Sequence, residues 1–156
     1  MSNIFNSDFQ DFITALNNND VDYILLGGYA VILYGYSRNT GDMDIFVRKS
    51  EENYRKLQLA FQEFGMPMFD MTLDNFLHNS ELDVFTFGMP PVSIDILTQP
   101  KELDFDETFK NAEMKEVDGL NIRVIHLDDL IRQKKAVNRA KDLNDIDHLS
   151  GLNEEE

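Results

Sequence analysis

The sequence contains no cysteine and no tryptophan, and only 4 of its 156 residues are proline. Without cysteine, the chain forms no disulfide, zinc–thiolate site or thiol nucleophile. No apolar run approaches the ~20 residues that a membrane-spanning helix requires. Residues 1–5 also lack the basic and apolar segments of a signal peptide. These absences predict a soluble, cytoplasmic protein that does not associate with a membrane.

Basic residues are scarce as well. The chain has 14 Lys and Arg against 29 Asp and Glu, which gives a formal net charge of −15. Tight binding to long duplex nucleic acid depends on Lys and Arg side chains that displace counterions from phosphates. The acidic surplus therefore argues against such a partner. It is compatible with a small anionic ligand in one local cationic pocket, or with a partner protein that has a basic face.

The apolar pattern predicts one domain over residues 1–150 and a disordered acidic tail over residues 151–156, because ~150 residues is the length of a single domain. Helices are predicted at residues 7–16, 29–34, 51–64, 127–137 and 142–149. Ser7 is the predicted capping residue of the first helix, and Ser50 and Gly65 are the predicted caps of the third. Strands are predicted at residues 21–26, 42–47, 82–87, 92–97 and 120–125, and Asp118-Gly119 predicts a tight hairpin before the last of them. The fold class that follows is α+β, with a mixed, twisted sheet of about five strands flanked by helices.

The first predicted strand ends in Leu26-Gly27-Gly28 and leads into a buried helix. Glycine lets the backbone approach a ligand closely, and the free N–H groups at a helix start attract anions. The pattern is therefore compatible with a phosphate-binding site. A Gly-Gly pair after a strand is also typical of a simple turn.

Asp42 and Asp44 are separated by one residue in the second predicted strand. A strand alternates its side chains, so both carboxylates lie on one face, while Met43, Ile45 and Val47 point into the core. Like charges so close repel each other, and a divalent cation such as Mg²⁺, which prefers oxygen ligands, removes that repulsion. In an acidic chain, Asp-x-Asp is also typical of a solvated strand face.

Asp95 shows the same alternation within Val92-Ser93-Ile94-Asp95-Ile96-Leu97. An unpaired carboxylate among apolar neighbours is costly, so Asp95 is either a third metal ligand opposite Asp42 and Asp44 or part of a solvated edge strand. Asp83 is a weaker alternative for the third carboxylate.

Lys134 falls inside the apolar stripe of the helix predicted at residues 127–137, between Leu130 and Ile131. A buried ammonium needs a partner. Two interpretations stay open: a Lys whose stem covers the core edge while its ammonium reaches water, or a Lys that enters a cleft to meet a phosphate or an aspartate.

The order of these residues resembles the signature of the nucleotidyltransferase superfamily that shares the DNA polymerase beta fold. That signature is a hydrophobic residue, Gly, Gly or Ser, a spacer of about ten residues and Asp-x-Asp, with a third carboxylate on a later strand. Here 13 residues separate Gly28 from Asp42. Small bacterial members share two further runs of residues. The first is matched here by Arg38 and Thr40 before Asp42, and the second by Lys134, Arg139, Lys141, Asp142 and Asp145. These small members include the transferases of abortive-infection toxin systems and of lincosamide resistance.

The resemblance implies roles for these residues. Asp42 and Asp44 would bind two Mg²⁺ ions, and Asp95 would bind one of them and help deprotonate an acceptor hydroxyl. Gly27 and Gly28 would hold the β- and γ-phosphates of a nucleoside triphosphate. Arg38, Thr40 and Lys134 would complete the nucleotide site.

The implied reaction moves a nucleoside monophosphate, AMP from ATP, to a hydroxyl on a small molecule, a protein or an RNA end. A homodimer or a partner protein would complete the cleft of so short a chain. The competing hypothesis is a catalytically silent domain of the same fold that acts as a regulatory or toxin–antitoxin partner.

Overall fold

The structure is a computed structural model that describes residues 6–36, 40–89, 92–137 and 140–155. Its helices are α1 (Ser7–Asn18), α2 (Gly27–Leu33), α3 (Glu51–Phe64), α4 (Leu73–His78), α5 (Phe105–Asn111), α6 (Leu127–Val137) and α7 (Ala140–Glu155). Its strands are β1 (Tyr23–Leu26), β2 (Asp42–Val47), β3 (Val84–Met89), β4 (Val92–Leu97), β5 (Glu113–Val117) and β6 (Leu120–Val124).

The strands form one mixed sheet in the order β3-β4-β2-β1-β6-β5. Strand β2 runs antiparallel to β1 and parallel to β4, and β1 runs parallel to β6. The predicted α+β class with a mixed sheet flanked by helices is confirmed. The sheet has six strands instead of about five, because β5 pairs with β6 along all five of its residues.

The two faces of the sheet differ in composition at its centre. Met43, Ile45 and Val47 of β2 are fully buried on one face. Helix α3 covers that face, where the ring of Phe61 lies 4.8 Å from the ring of Phe87 on β3. The predicted alternation along β2 is therefore correct, and the opposite face carries its aspartates.

The opposite face, which we call the aspartate face, is covered by helix α5 at one end of β2. There the ring of Phe46 meets Phe105 of α5 edge to face, with the ring centroids 5.0 Å apart. At the other end Asp42 is exposed and Asp44 is half-buried. The fold thus leaves the start of β2 accessible while it closes the far end.

The start of α1 and the end of α7 are among the helix ends that differ from their predicted positions. The side chain of Asn6, not that of Ser7, caps α1 by accepting a hydrogen bond of 2.9 Å from the Phe9 N–H. Helix α7 continues to Glu155, so residues 151–155 are helical where the sequence predicts a disordered tail. Among the described residues, the helices all lack the length and apolar character needed to cross a bilayer.

Candidate active site

The junction between β1 and α2 brings a glycine against an aspartate. Gly27 begins α2 with a φ of +65°, a left-handed backbone that glycine adopts without steric cost. A Cβ atom placed on Gly27 would lie 2.1 Å from Oδ2 of Asp44. Leu26 is the cross-strand partner of Asp44, so the sheet register itself sets this contact. Only glycine permits so close an approach of the carboxylate to the start of the helix.

The parallel pairing of β2 with β4 brings the predicted carboxylates together. Asp44 is directly paired with Asp95, and Asp42 is directly paired with Ser93. Neighbouring strands lie about 4.8 Å apart, and directly paired residues share a face. Asp42, Asp44 and Asp95 therefore occupy adjacent positions on the aspartate face.

Two hydroxyl side chains bind these carboxylates. The Ser93 hydroxyl donates a hydrogen bond to Oδ1 of Asp42, and the Thr86 hydroxyl donates to Oδ1 of Asp95 over 2.7 Å. Thr86 is the cross-strand partner of Asp95 in the β3–β4 pair. The alternation along residues 92–97 predicts Ser93 on the face of Asp95 but gives it no role, and Thr86 was not predicted as a site residue. Alternation along β3 indicates only which face Thr86 occupies, and its pairing with Asp95 comes from the sheet register.

Negative charge accumulates on this face. Within the described residues, Asp42 and Asp95 each take a hydroxyl as a partner and not a cation. The Asp42 carboxylate also affects a residue of helix α2. Burial raises the pKa of Tyr29, and the nearby negative charge of Asp42 raises this pKa further. Like charges on directly paired residues repel each other, and a bound cation relieves this repulsion.

The donor set fits Mg²⁺ in its chemistry, because carboxylate oxygens are the ligands this ion prefers. However, the side chains of Asp42, Asp44 and Asp95 are not arranged around a single metal position. In the parts of the chain that the structure describes, no group of three or more His, Asp or Glu side chains is arranged to hold a metal ion. The assignment of Asp42, Asp44 and Asp95 as metal ligands stays a prediction.

Two other predicted nucleotide-binding residues, Gly28 and Thr40, adjoin the ends of β1 and β2. Gly28 is buried in the first turn of α2. The Thr40 hydroxyl lies 3.4 Å from the backbone carbonyl of Asp42, just before β2. Arg38, together with Arg139 of the C-terminal run, falls outside the described residues.

Lys134 of α6 is buried in an ion cluster with helix α7. Its Nζ atom lies 3.2 Å from Oδ1 of Asp142 and 3.0 Å from Oδ2 of Asp145. The Lys134 side chain is only 3% exposed, which contradicts the interpretation of an ammonium that reaches water. Its predicted role in nucleotide binding is not tested by this cluster and stays a prediction.

Residues 7–154 match the model of a family described as nucleotidyltransferase of unknown function (DUF6036). The chain belongs to this family. The superfamily resemblance read from the sequence is thereby confirmed, and the protein is a transferase that moves a nucleotidyl group. No curated protein sequence matches this nucleotidyltransferase.

Solved structures with the same fold share little sequence with this nucleotidyltransferase. Lincosamide antibiotic adenylyltransferase LnuA, bound to lincomycin, is 16% identical, with a TM-score of 0.63 over 96% of this chain and 98% of its own. ANT(2″)-Ia in complex with adenylyl-2″-tobramycin is 14% identical, with a TM-score of 0.56 over 92% and 86%. An antigenic nucleotidyltransferase-like protein from Paracoccidioides brasiliensis is 16% identical, with a TM-score of 0.56 over 94% and 77%. The likeness establishes the nucleotidyltransferase fold.

Proposed function

We propose that this nucleotidyltransferase transfers AMP from ATP to a hydroxyl of an acceptor, with two Mg²⁺ ions held by Asp42, Asp44 and Asp95. The observation that carries the proposal is the register of β2 with β4, which pairs Asp44 directly with Asp95 on the accessible end of the aspartate face. The close contact between Gly27 and Asp44 supports it, because it joins the carboxylates to the predicted phosphate site.

The chain's own groups account for the steps of the transfer. Backbone N–H groups at Gly27 and Gly28 hold the β- and γ-phosphates, and Arg38 and Thr40 add a charge and a hydroxyl donor. The acceptor oxygen forms a bond to the α-phosphorus as the α–β phosphoanhydride bond breaks and pyrophosphate leaves. Asp95 accepts the proton of the acceptor hydroxyl. Mg²⁺, when bound, stabilises the negative charge that develops on the transferring phosphoryl group.

The choice of ATP rests on the neighbours with the same fold. LnuA is named an adenylyltransferase, and ANT(2″)-Ia is described with an adenylylated antibiotic. Both descriptions refer to an adenylyl group, and each names a bound small molecule, lincomycin or adenylyl-2″-tobramycin. For the acceptor of this chain, we propose only that it carries a hydroxyl group. The labelled product of the transfer reaction identifies the class of the acceptor.

The test is transfer of label from α-labelled ATP and Mg²⁺ into a host-cell lysate. We expect the wild type to label an acceptor and Asp44→Asn to lose the transfer, because the variant removes a carboxylate that binds the metal. The matched control is Asp83→Asn, which removes an exposed carboxylate outside the proposed set and should leave transfer unchanged. The labelled product is separated by size and treated with protease or ribonuclease to show whether it is a small molecule, a protein or RNA.

Two results would contradict the proposal. Transfer by Asp44→Asn at the wild-type rate would refute the metal assignment. If none of the four nucleoside triphosphates gave a labelled product, transfer itself would be refuted. The hypothesis of a catalytically silent domain would then be favoured.

A further inference from the structure

Ser93 and Thr86 are hydroxyl residues that bind carboxylates on the aspartate face. Each is the direct cross-strand partner of the aspartate it binds: Ser93 pairs with Asp42 between β4 and β2, and Thr86 pairs with Asp95 between β3 and β4. The two contacts come from different strands but have the same form. In both, a hydroxyl donates to the Oδ1 atom of one carboxylate.

The environment of Ser93 shows that its hydroxyl is committed to this contact. Ser93 is only 4% exposed, and a buried hydroxyl that lacks a hydrogen bond is costly. Asp42, in contrast, is exposed and would be solvated by water without Ser93. The hydrogen bond therefore restricts the rotation of a carboxylate that would otherwise be mobile on the surface.

Thr86 acts on Asp95 from the edge of the sheet. Its side chain is exposed, so its hydroxyl has water as an alternative partner, and yet it donates to Asp95 over 2.7 Å. A carboxylate has two oxygens and about four lone-pair sites. A hydroxyl on one oxygen fixes the plane of the group and leaves the second oxygen for a cation.

We propose that Ser93 and Thr86 are positioning residues that hold the metal-binding carboxylates of Asp42 and Asp95. This inference rests on the proposed function, because it concerns the same metal site. Each hydroxyl holds one oxygen of its carboxylate by a hydrogen bond. The second oxygen then binds Mg²⁺ with little loss of side-chain freedom. Groups that hydrogen-bond to metal-ligating carboxylates typically contribute 10–100-fold to metal affinity.

The experiment measures the affinity for Mn²⁺ alone, by electron paramagnetic resonance of the free ion, on four variants. Thr86→Val and Ser93→Ala remove a hydroxyl, whereas Thr86→Ser and Ser93→Thr retain one. We expect the first two to weaken Mn²⁺ binding by about 10–100-fold and the hydroxyl-retaining pair to bind close to the wild type. In transfer assays, excess Mg²⁺ should raise the rate of Thr86→Val toward the wild-type rate, which a purely structural role would not explain.

The outcomes separate this inference from the proposed function. If the wild type binds Mn²⁺ and Thr86→Val and Ser93→Ala bind it equally well, the inference is overturned and the metal site stands. If the wild type itself binds no Mn²⁺, the metal part of the proposed function fails and the inference fails with it. Circular dichroism and thermal melting monitor the fold. If Ser93→Ala does not fold, the comparison of Thr86→Val with Thr86→Ser decides, because Thr86 is exposed.

Discussion

Two independent features of the structure require glycine at position 27. Its φ of +65° favours glycine, and a Cβ atom at this position would overlap the Asp44 carboxylate. A backbone held at positive φ by a residue other than glycine costs of order 1–3 kcal/mol. The overlap would also displace the Asp44 carboxylate, which holds a metal ion under the proposed function.

We therefore predict that Gly27→Ala lowers the free energy of unfolding by more than the about 1–3 kcal/mol that the backbone conformation alone costs, and that it abolishes nucleotidyl transfer. The control is Gly119→Ala in the β5–β6 hairpin, where φ is +79° and a Cβ atom would meet nothing within 4 Å. That variant should lose about 1–3 kcal/mol and keep its activity. Urea denaturation and the label-transfer assay measure the two effects. Equal activity of Gly27→Ala and Gly119→Ala would show that the contact with Asp44 has no functional role.

Residue-level patterns predicted part of the site. The period of two in a strand placed Asp42 and Asp44 on one face, and the structure agrees. The same period could not identify Thr86 and Ser93 as partners of the carboxylates. Those hydrogen bonds depend on which residue of one strand lies opposite which residue of the next, and that register is a property of the assembled sheet.

Helices α6 and α7 are joined by the buried cluster of Lys134 with Asp142 and Asp145. Both aspartate side chains are 1% exposed, and the Lys134 ammonium lies within 3.2 Å of a carboxylate oxygen of each. Removal of one partner from a buried ion pair leaves an uncompensated charge and typically costs 3–5 kcal/mol. The cluster therefore links α6 to α7 through groups that are costly to remove singly.

We predict that Lys134→Met lowers the free energy of unfolding by about 3–5 kcal/mol, as measured by urea denaturation. Lys135→Met provides the comparison, because Lys135 is the neighbouring, exposed residue of the same helix and its replacement should change stability by less than about 0.5 kcal/mol. Similar midpoints for the two variants would show that the buried cluster contributes little to stability. The same variants, assayed for transfer, separate this structural role from the predicted role in nucleotide binding.

Helix ends were predictable where the local signals were unambiguous. Helix α3 lies between the predicted caps: the Ser50 side chain accepts from the Asn53 N–H, and Gly65 has a φ of +87°. Helix α1 offers two adjacent residues that cap well, Asn6 and Ser7, and the structure uses the first. Helix α7 passes through Gly151, whose cost of about 1 kcal/mol is too small to end a helix by itself.

The whole molecule carries a net charge of −15, and its carboxylates at the candidate site add to that field. Such a field raises the local concentration of divalent cations and opposes the approach of an uncompensated triphosphate or a long RNA. A donor that arrives as its Mg²⁺ complex meets less repulsion. The charge is thus consistent with the proposed use of Mg²⁺ and with an acceptor smaller than a long nucleic acid.

The arrangement of the sheet was accessible from the sequence only through the family resemblance. Local patterns found the strands, but β2 and β4 are far apart in sequence, and no local pattern says that they run side by side in parallel. The spacing from Gly28 to Asp42, and the later Asp95, suggested the superfamily and with it the fold. The hydroxyl acceptor, in contrast, depends on contacts that no motif in this chain specifies.

The central claim is that Asp42, Asp44 and Asp95 hold the metal ions of a nucleotidyl transfer. Its most direct test is an anomalous difference map from crystals grown with Mn²⁺ and α,β-methylene-ATP. We predict anomalous peaks within coordination distance of carboxylate oxygens of all three aspartates, beside the start of α2. Manganese found only on the phosphates of the nucleotide, or at other acidic residues of the surface, would contradict it.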